Sequence, residues 1–318
     1  MSSFVDTCFK LSEGHDFVVF SIHSIVWGTL LHLLNRSDPI KLQQKQQQQQ
    51  QQQINNKKTN TISPIYKLKP FEFLFLGIMV TVTFINIVLR FIKGVPIWLL
   101  QPCHVLSGLL IYIISNKKSD SNIFYLYFYN LWMPLVGILA VPDDSWFYYS
   151  WEPFIFYLHH WAMLIVPFYY MFFNHRFHAH FKSSTSLPME YNGNIRLSTL
   201  KNRLRLFVQV FTIGMLYHSL VLGYGGILLN EDLNSMKCRF AGGEIFGIHW
   251  REALTIGGWI LGWLVAVLPD TLIHCLYYSN KKPSSSTTAT KKNTILSILG
   301  DGFNFIQSRI NLEIKKNN

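Results

Sequence analysis

A thiol, a pair of adjacent imidazoles and a carboxylate sit inside stretches of this sequence that otherwise suit lipid. Cys103 follows Leu99-Leu100-Gln101-Pro102 and precedes His104-Val105-Leu106, near the start of an apolar run. His159 and His160 close the segment Phe156-Tyr157-Leu158-His159-His160, and Asp270 interrupts a later run. Polar groups in hydrocarbon lose their water partners, so such residues face a bundle interior and often mark a working site. The chemistry on offer is covalent: a thiol becomes a strong nucleophile when an imidazole accepts its proton. Buried without such a partner, a cysteine is inert. From spacing alone, Cys103 fits a small packed hydrophobe as well as a nucleophile. His160 fits a hydrogen-bonded helix histidine as well as a base.

Long apolar helices must position these groups. A hydrocarbon core about 30 Å thick needs roughly 20 apolar residues of helix, and about seven runs qualify. They are Phe17–Leu34, Phe71–Ile92, Ile97–Ile114, Ile123–Val141, Phe154–Phe173, Phe207–Leu229 and Ile256–Tyr278. The expected fold is therefore all-α, a polytopic transmembrane helix bundle. If the third helix starts near Ile97 and the fifth near Phe154 on the same side, Cys103 and His160 share a depth about 9 Å below the headgroups. His104 lies about 100° further round its helix and is not required to face the same space.

The domain organisation expected is a bundle over residues 1–280 and a tail over 281–318. Within the bundle, 37–69 reads as a disordered loop carrying the unbroken glutamines Gln46 to Gln53, with no apolar face to bury. The tail places Ile295, Ile298, Leu299, Phe303, Ile306 and Ile310 at helical spacing, which predicts an amphipathic helix lying on the interface or docked on the bundle.

Composition agrees with this class: 49% of residues are hydrophobic and 14% charged, against about 25% charged in a soluble domain. The formal net charge of +11 does not point to nucleic acid, because the basic residues lie between and after apolar runs instead of on one soluble face. Anionic headgroups are the expected partner. Of the 28 lysines and arginines, six (Lys10, Arg90, Lys93, Lys237, Arg239 and Arg251) fall on the side of the amino terminus. The basic side is expected to be cytosolic, which leaves the amino terminus lumenal or outside and the carboxyl terminus cytosolic. The start is acidic and polar until Val18, so no cleaved signal peptide is expected.

Cys8, Cys103, Cys238 and Cys275 are too scattered for a disulfide scaffold or a zinc site, although Cys8 and Cys238 fall on one side and can be bridged. His175-x-x-His178-x-His180 is one histidine box where a membrane di-metal site needs several, so it reads as a juxtamembrane basic patch. No metal or cofactor is expected. Gly223 to Gly226, Gly257, Gly258 and Gly262 suit close helix packing.

The segments Leu100-Gln101-Pro102-Cys103-His104-Val105, Phe156 to His160 with Val166-Pro167, and Leu229-Asn230 through Asn234-Ser235-Met236-Lys237-Cys238 together resemble the transmembrane protein 164 family. The resemblance runs from about Phe71 to Tyr278 and is most specific at Gln-Pro-Cys-His. It implies a membrane acyltransferase that moves a polyunsaturated acyl chain from a donor phospholipid to a lyso ether phospholipid. It also implies a distant likeness in fold to the androgen-induced membrane hydrolases, which pair a helix-borne nucleophile with a histidine. Carried over by residue, the nucleophile falls on Cys103 and the base on His160. Gln101 and His104 are the candidates to support them at the oxyanion. The implied partners are membrane phospholipids and lysophospholipids, and the implied location is an endomembrane, endoplasmic reticulum or Golgi.

Two other classes compete. A seven-helix receptor suits the helix count, but Ile113-Ile114-Ser115-Asn116 lacks an acidic-arginine switch and Leu268-Pro269-Asp270 stands where Asn-Pro-x-x-Tyr is expected. A small-solute transporter calls for matched broken helices in inverted halves, and no such pair is apparent.

Overall fold

A computed structural model describes residues 13–36, 68–116, 121–139, 147–174, 176–177, 200–233 and 243–279. The polyglutamine loop, the histidine box, Cys8, Cys238 and the amphipathic tail lie outside the described residues. The chain divides into one unit of Met1–Pro269 and a second of Asp270–Asn318. Within the second unit the described residues continue as helix to Ser279.

Among the described residues every element is helical. α1 runs Glu13–Arg36 and α2 Pro70–Ile92. After a 3-10 turn at Pro96–Leu100 comes α3, Pro102–Ser115. α4 and α5 are short, Ser121–Phe128 and Trp132–Leu139. α6 spans Glu152–Tyr169 and ends in a π turn at Tyr170–Asn174. α7, Leu200–Leu216, passes through a π segment, Tyr217–Gly223, into α8, Tyr224–Leu229. α9, Trp250–Gly262, continues through a second such segment, Trp263–Val267, into α10, Leu268–Ser279.

Five stretches are long and apolar enough to cross a membrane: Gly14–Asn35, Pro70–Ile92, Glu152–Asn174, Arg203–Leu229 and Trp250–Ile273. The third and fourth runs expected from sequence are instead the shorter apolar helices Pro102–Ser115 and Ile123–Leu139. Proline explains both. Pro102 occupies the first turn of α3, where its missing N–H costs nothing, so the helix begins there and Ile97 to Leu100 lie outside it. Pro134 has no N–H for the Asn130 carbonyl and its ring would crowd that group, so the chain turns over 129–131 between α4 and α5.

A third proline is accommodated differently. Pro167 inside α6 leaves the Met163 carbonyl without its helical donor, and the Tyr127 hydroxyl of α4 donates to that oxygen at 2.9 Å. The helix therefore continues through the proline. Outward faces are apolar, as lipid requires: Phe17, Val18, Ile25, Phe71, Phe84 and Phe91 are all exposed. The interior is aromatic, with Phe124, Tyr125, Phe128, Trp132, Phe207 and Phe211 buried. Small residues admit these rings. A Cβ on Gly258 would come within 2.8 Å of Trp132 and one on Gly262 within 2.9 Å of Phe207, whereas Gly257 meets nothing within 4 Å.

Polar groups tie α2 to α6 at both ends and take in α3 at one of them. At one end Glu72, fully buried, accepts from the Tyr170 hydroxyl at 2.9 Å and from Arg176 at 3.1 Å. Arg176 also donates to the Ile114 carbonyl at 3.1 Å and to the Asn116 carbonyl that ends α3. At the other end Lys93 pairs with Glu152, whose second oxygen accepts from the N–H groups of Tyr148 and Tyr149, both at 3.1 Å. The candidate site lies on the helices clamped between these pairs.

Candidate active site

Cys103 is the second residue of α3, so it sits in the helix's first turn and not five or six residues inside a longer helix. The N–H groups of this turn have no intrahelical partner by construction. The Gln101 carbonyl caps the turn by accepting from the N–H groups of His104 at 3.0 Å and Val105 at 3.3 Å. Gln101 itself is buried at the cap. The turn is anchored from outside the helix: the Tyr217 hydroxyl, at the start of the π segment, donates to the Leu100 carbonyl at 2.5 Å. Arg90, in the last turn of α2, lies over the Trp98 ring at 5.2 Å and interacts electrostatically with Cys103 and Glu152.

The imidazoles converge on α3 from α6. His104 stacks on His159 with ring centroids 5.9 Å apart and planes at 19°. His159 meets His160 edge-on at 5.3 Å. All three are buried, and His104 has no hydrogen-bond partner at either ring nitrogen. His104 thus faces α6, a side the angular argument from sequence left open.

Each of the α6 rings has a definable tautomer. His160 Nδ1 lies 2.8 Å from the Phe156 carbonyl, which only accepts, so Nδ1 carries the proton and Nε2 keeps a free lone pair. That edge of the ring packs against α5, where a Cβ on Gly137 would fall 2.6 Å from Nε2. Ser107, one turn beyond Cys103, lies 2.7 Å from the Cys103 carbonyl. A hydroxyl has one proton, and this back-bond takes it, so the contact between Ser107 and His159 is made by His159 Nε2–H donating to Oγ. The free lone pair of His159 is then at Nδ1.

Cys103 and His160, the pair expected from depth, make no hydrogen bond to each other among the described contacts. Ser107 links α3 directly to α6, through His159 and through the Met163 sulfur at 3.4 Å. Sequence reasoning missed Ser107, Arg90 and Tyr217. Ser107 was legible from its four-residue spacing to Cys103, which puts both on one helix face. Arg90 was legible as a lone cation in a run built for lipid. Nothing local pointed to Tyr217. Asp270, the third residue of α10, is buried. Among the described residues no three His, Cys, Asp or Glu side chains converge as metal ligands.

No family model matches the chain, and no solved structure matches it. Among curated proteins, it is similar to a Transmembrane protein 164 homolog from Dictyostelium discoideum, 28% identical over 89 residues, which is 27% of this chain. The chain spans 32% of that relative's length, about a third. Apolar helices of spanning length and this partial similarity mark the chain as an integral multi-pass membrane protein.

Proposed function

We propose that this protein is a membrane acyltransferase that moves a fatty acyl chain from a donor phospholipid to a lyso (ether) phospholipid through a thioester on Cys103. The observation that carries the reading is the setting of that one thiol. It stands on a helix first turn, beside the Arg90 guanidinium and His104, with His159 stacked on His104 and bonded to Ser107 of the next turn, and His160 edge-on to His159.

In the first half-reaction the Cys103 sulfur attacks the ester carbonyl of the donor, and its proton passes to the unprotonated Nε2 of His160 as substrate binding draws that edge of the ring from Gly137 toward the thiol. The tetrahedral intermediate collapses, the C–O bond to glycerol breaks, and the imidazolium returns the proton to the leaving lysophospholipid alcohol. In the second, the acceptor's hydroxyl loses its proton to His160 and attacks the thioester carbonyl, and the C–S bond breaks to restore the thiol. Catalytic hydrogen bonds are often unformed without substrate and tighten when it binds, so an unpaired Cys103 and His160 suit a resting enzyme. His104 and Gln101 stand beside Cys103 as the candidates to receive the oxyanion, and the Cys103 N–H of the first turn adds a donor.

The same reading holds that the short helices α3 and α4–α5 complete a seven-pass bundle in an endomembrane. Its amino terminus is lumenal and its basic side cytosolic. The test uses the full chain in phosphorus-free detergent with an acyl-labelled phospholipid. A hydroxylamine-sensitive acyl group is expected on Cys103, and Cys103→Ser should lower transfer more than about a hundredfold with unchanged thermal melting. Wild-type turnover in that variant would reject thioester catalysis.

A further inference from the structure

Two buried donor groups next to Cys103 are left without partners. His104 is 9% exposed and neither ring nitrogen is hydrogen-bonded. The Arg90 Nε is likewise buried and unbonded. Arg90 reaches toward the start of α3 from the last turn of α2, its guanidinium 5.2 Å from the ring of Trp98 in the 3-10 turn that leads into α3, and it interacts electrostatically with His104 and Cys103. Single buried atoms also go unbonded elsewhere, at Ser24, Thr83, Asn130 and Trp132, but here an imidazole with both nitrogens unbonded and a guanidinium Nε occur together beside a thiol. A buried donor left unmade costs about 1–3 kcal/mol, so a pair of them beside a nucleophile calls for an occupant that accepts hydrogen bonds.

The geometry points to Arg90 and His104 as a phosphate subsite, which holds the phosphodiester of a glycerophospholipid while its ester carbonyl meets Cys103. An anion is favoured over a neutral acceptor because a guanidinium is always charged and its fork matches phosphate oxygens. Arg90 is also poised in advance. Its guanidinium lies on the Trp98 ring, and the Trp98 indole N–H donates to Glu231 at 3.4 Å, so little rotamer freedom remains to be lost on binding. The lipid is favoured over a dissolved anion by position. Arg90 sits in the last turn of an apolar helix of spanning length, beside the exposed side chains of Phe91 and Ile92. Headgroup phosphates line that boundary. The subsite rests on the acyltransferase reading for its purpose but not for its binding chemistry.

The test separates the two. The full chain carrying Cys103→Ala, in phosphorus-free detergent, is titrated with a photoreactive lysophosphatidylcholine and with a monoacylglycerol bearing the same acyl chain. The phosphate-bearing probe should bind about tenfold tighter, and Arg90→Gln should weaken it about tenfold while leaving the monoacylglycerol within about twofold. Arg90→Lys, which keeps the charge and loses the fork, should fall between, and it covers the case in which Arg90→Gln fails to fold. Equal binding of both probes, or equal loss of both in the Arg90 variants, would overturn the subsite. Complete displacement of the lysolipid by millimolar inorganic phosphate would overturn its assignment to a lipid. If Cys103→Ser keeps full transfer while the Arg90-dependent preference persists, the thioester reading fails and the phosphate subsite stands.

Discussion

The two ends of α3 treat buried polarity in opposite ways. At its carboxyl end, Arg176 serves Glu72 and the Ile114 and Asn116 carbonyls at once, and Tyr170 completes the carboxylate. At its amino end, Arg90 and His104 keep nitrogens with nothing to bond. Both ends bring a guanidinium in among the helices, Arg176 buried and Arg90 half-buried with its Nε covered. What differs is whether neighbours meet the buried donors with acceptors. Where they do, the group staples helices together; where they do not, stability has been left open beside the one thiol of the helix.

Breaking the answered end has the largest expected effect. Arg176→Ala leaves Glu72 and its partner carbonyls short of donors, and loss of one member of a buried pair costs about 3–5 kcal/mol. Thermal melting in micelles should fall sharply, and an unchanged midpoint would mean that the pair does not hold the bundle. Next come the imidazoles on α6. His160→Ala should reduce acyl transfer about tenfold more than His159→Ala, because His159 hands its Nε2 proton to Ser107 while His160 keeps Nε2 free. The reverse order would make His159 the base. At the unanswered end, His104→Leu should do what no change at Glu72 can. It removes unbonded buried nitrogens, so it should raise stability by about 1 kcal/mol while weakening lysophospholipid binding. A drop in melting temperature would show that His104 is bonded in the resting protein. Smallest of all, deletion of residues 43–53 should leave both melting and transfer unchanged, and a marked loss in either would give the loop a role.

Helix class was legible because lipid imposes it: long apolar runs at Phe71–Ile92, Phe154–Phe173 and Phe207–Leu229 correspond to α2, α6 and α7–α8. Run length misled where proline intervened. Ile97 to Leu100 are apolar enough for a helix, but Pro102 sets its start, which moves Cys103 from the helix interior to its first turn. Pro134 divides the fourth run in the same way. Pro167 does not, since its cost is met by Tyr127 from another helix, and no local pattern reveals that. The site divides along the same line. Cys103, His104 and His160 stand out by type in an apolar run, and Ser107 by its spacing to Cys103. Tyr217 contacts Leu100 across more than a hundred residues of sequence, and its part in seating the thiol is visible only in three dimensions.

The hydroxyl that Tyr127 lends to Met163 makes a bend in one helix the property of two. A relative with leucine at position 167 would have no vacant oxygen there, and a phenylalanine at 127 would then serve equally well. The pair should accordingly be gained and lost together across descendants, and Tyr127→Phe in this chain should loosen the half of α6 beyond the histidines before it loosens anything else.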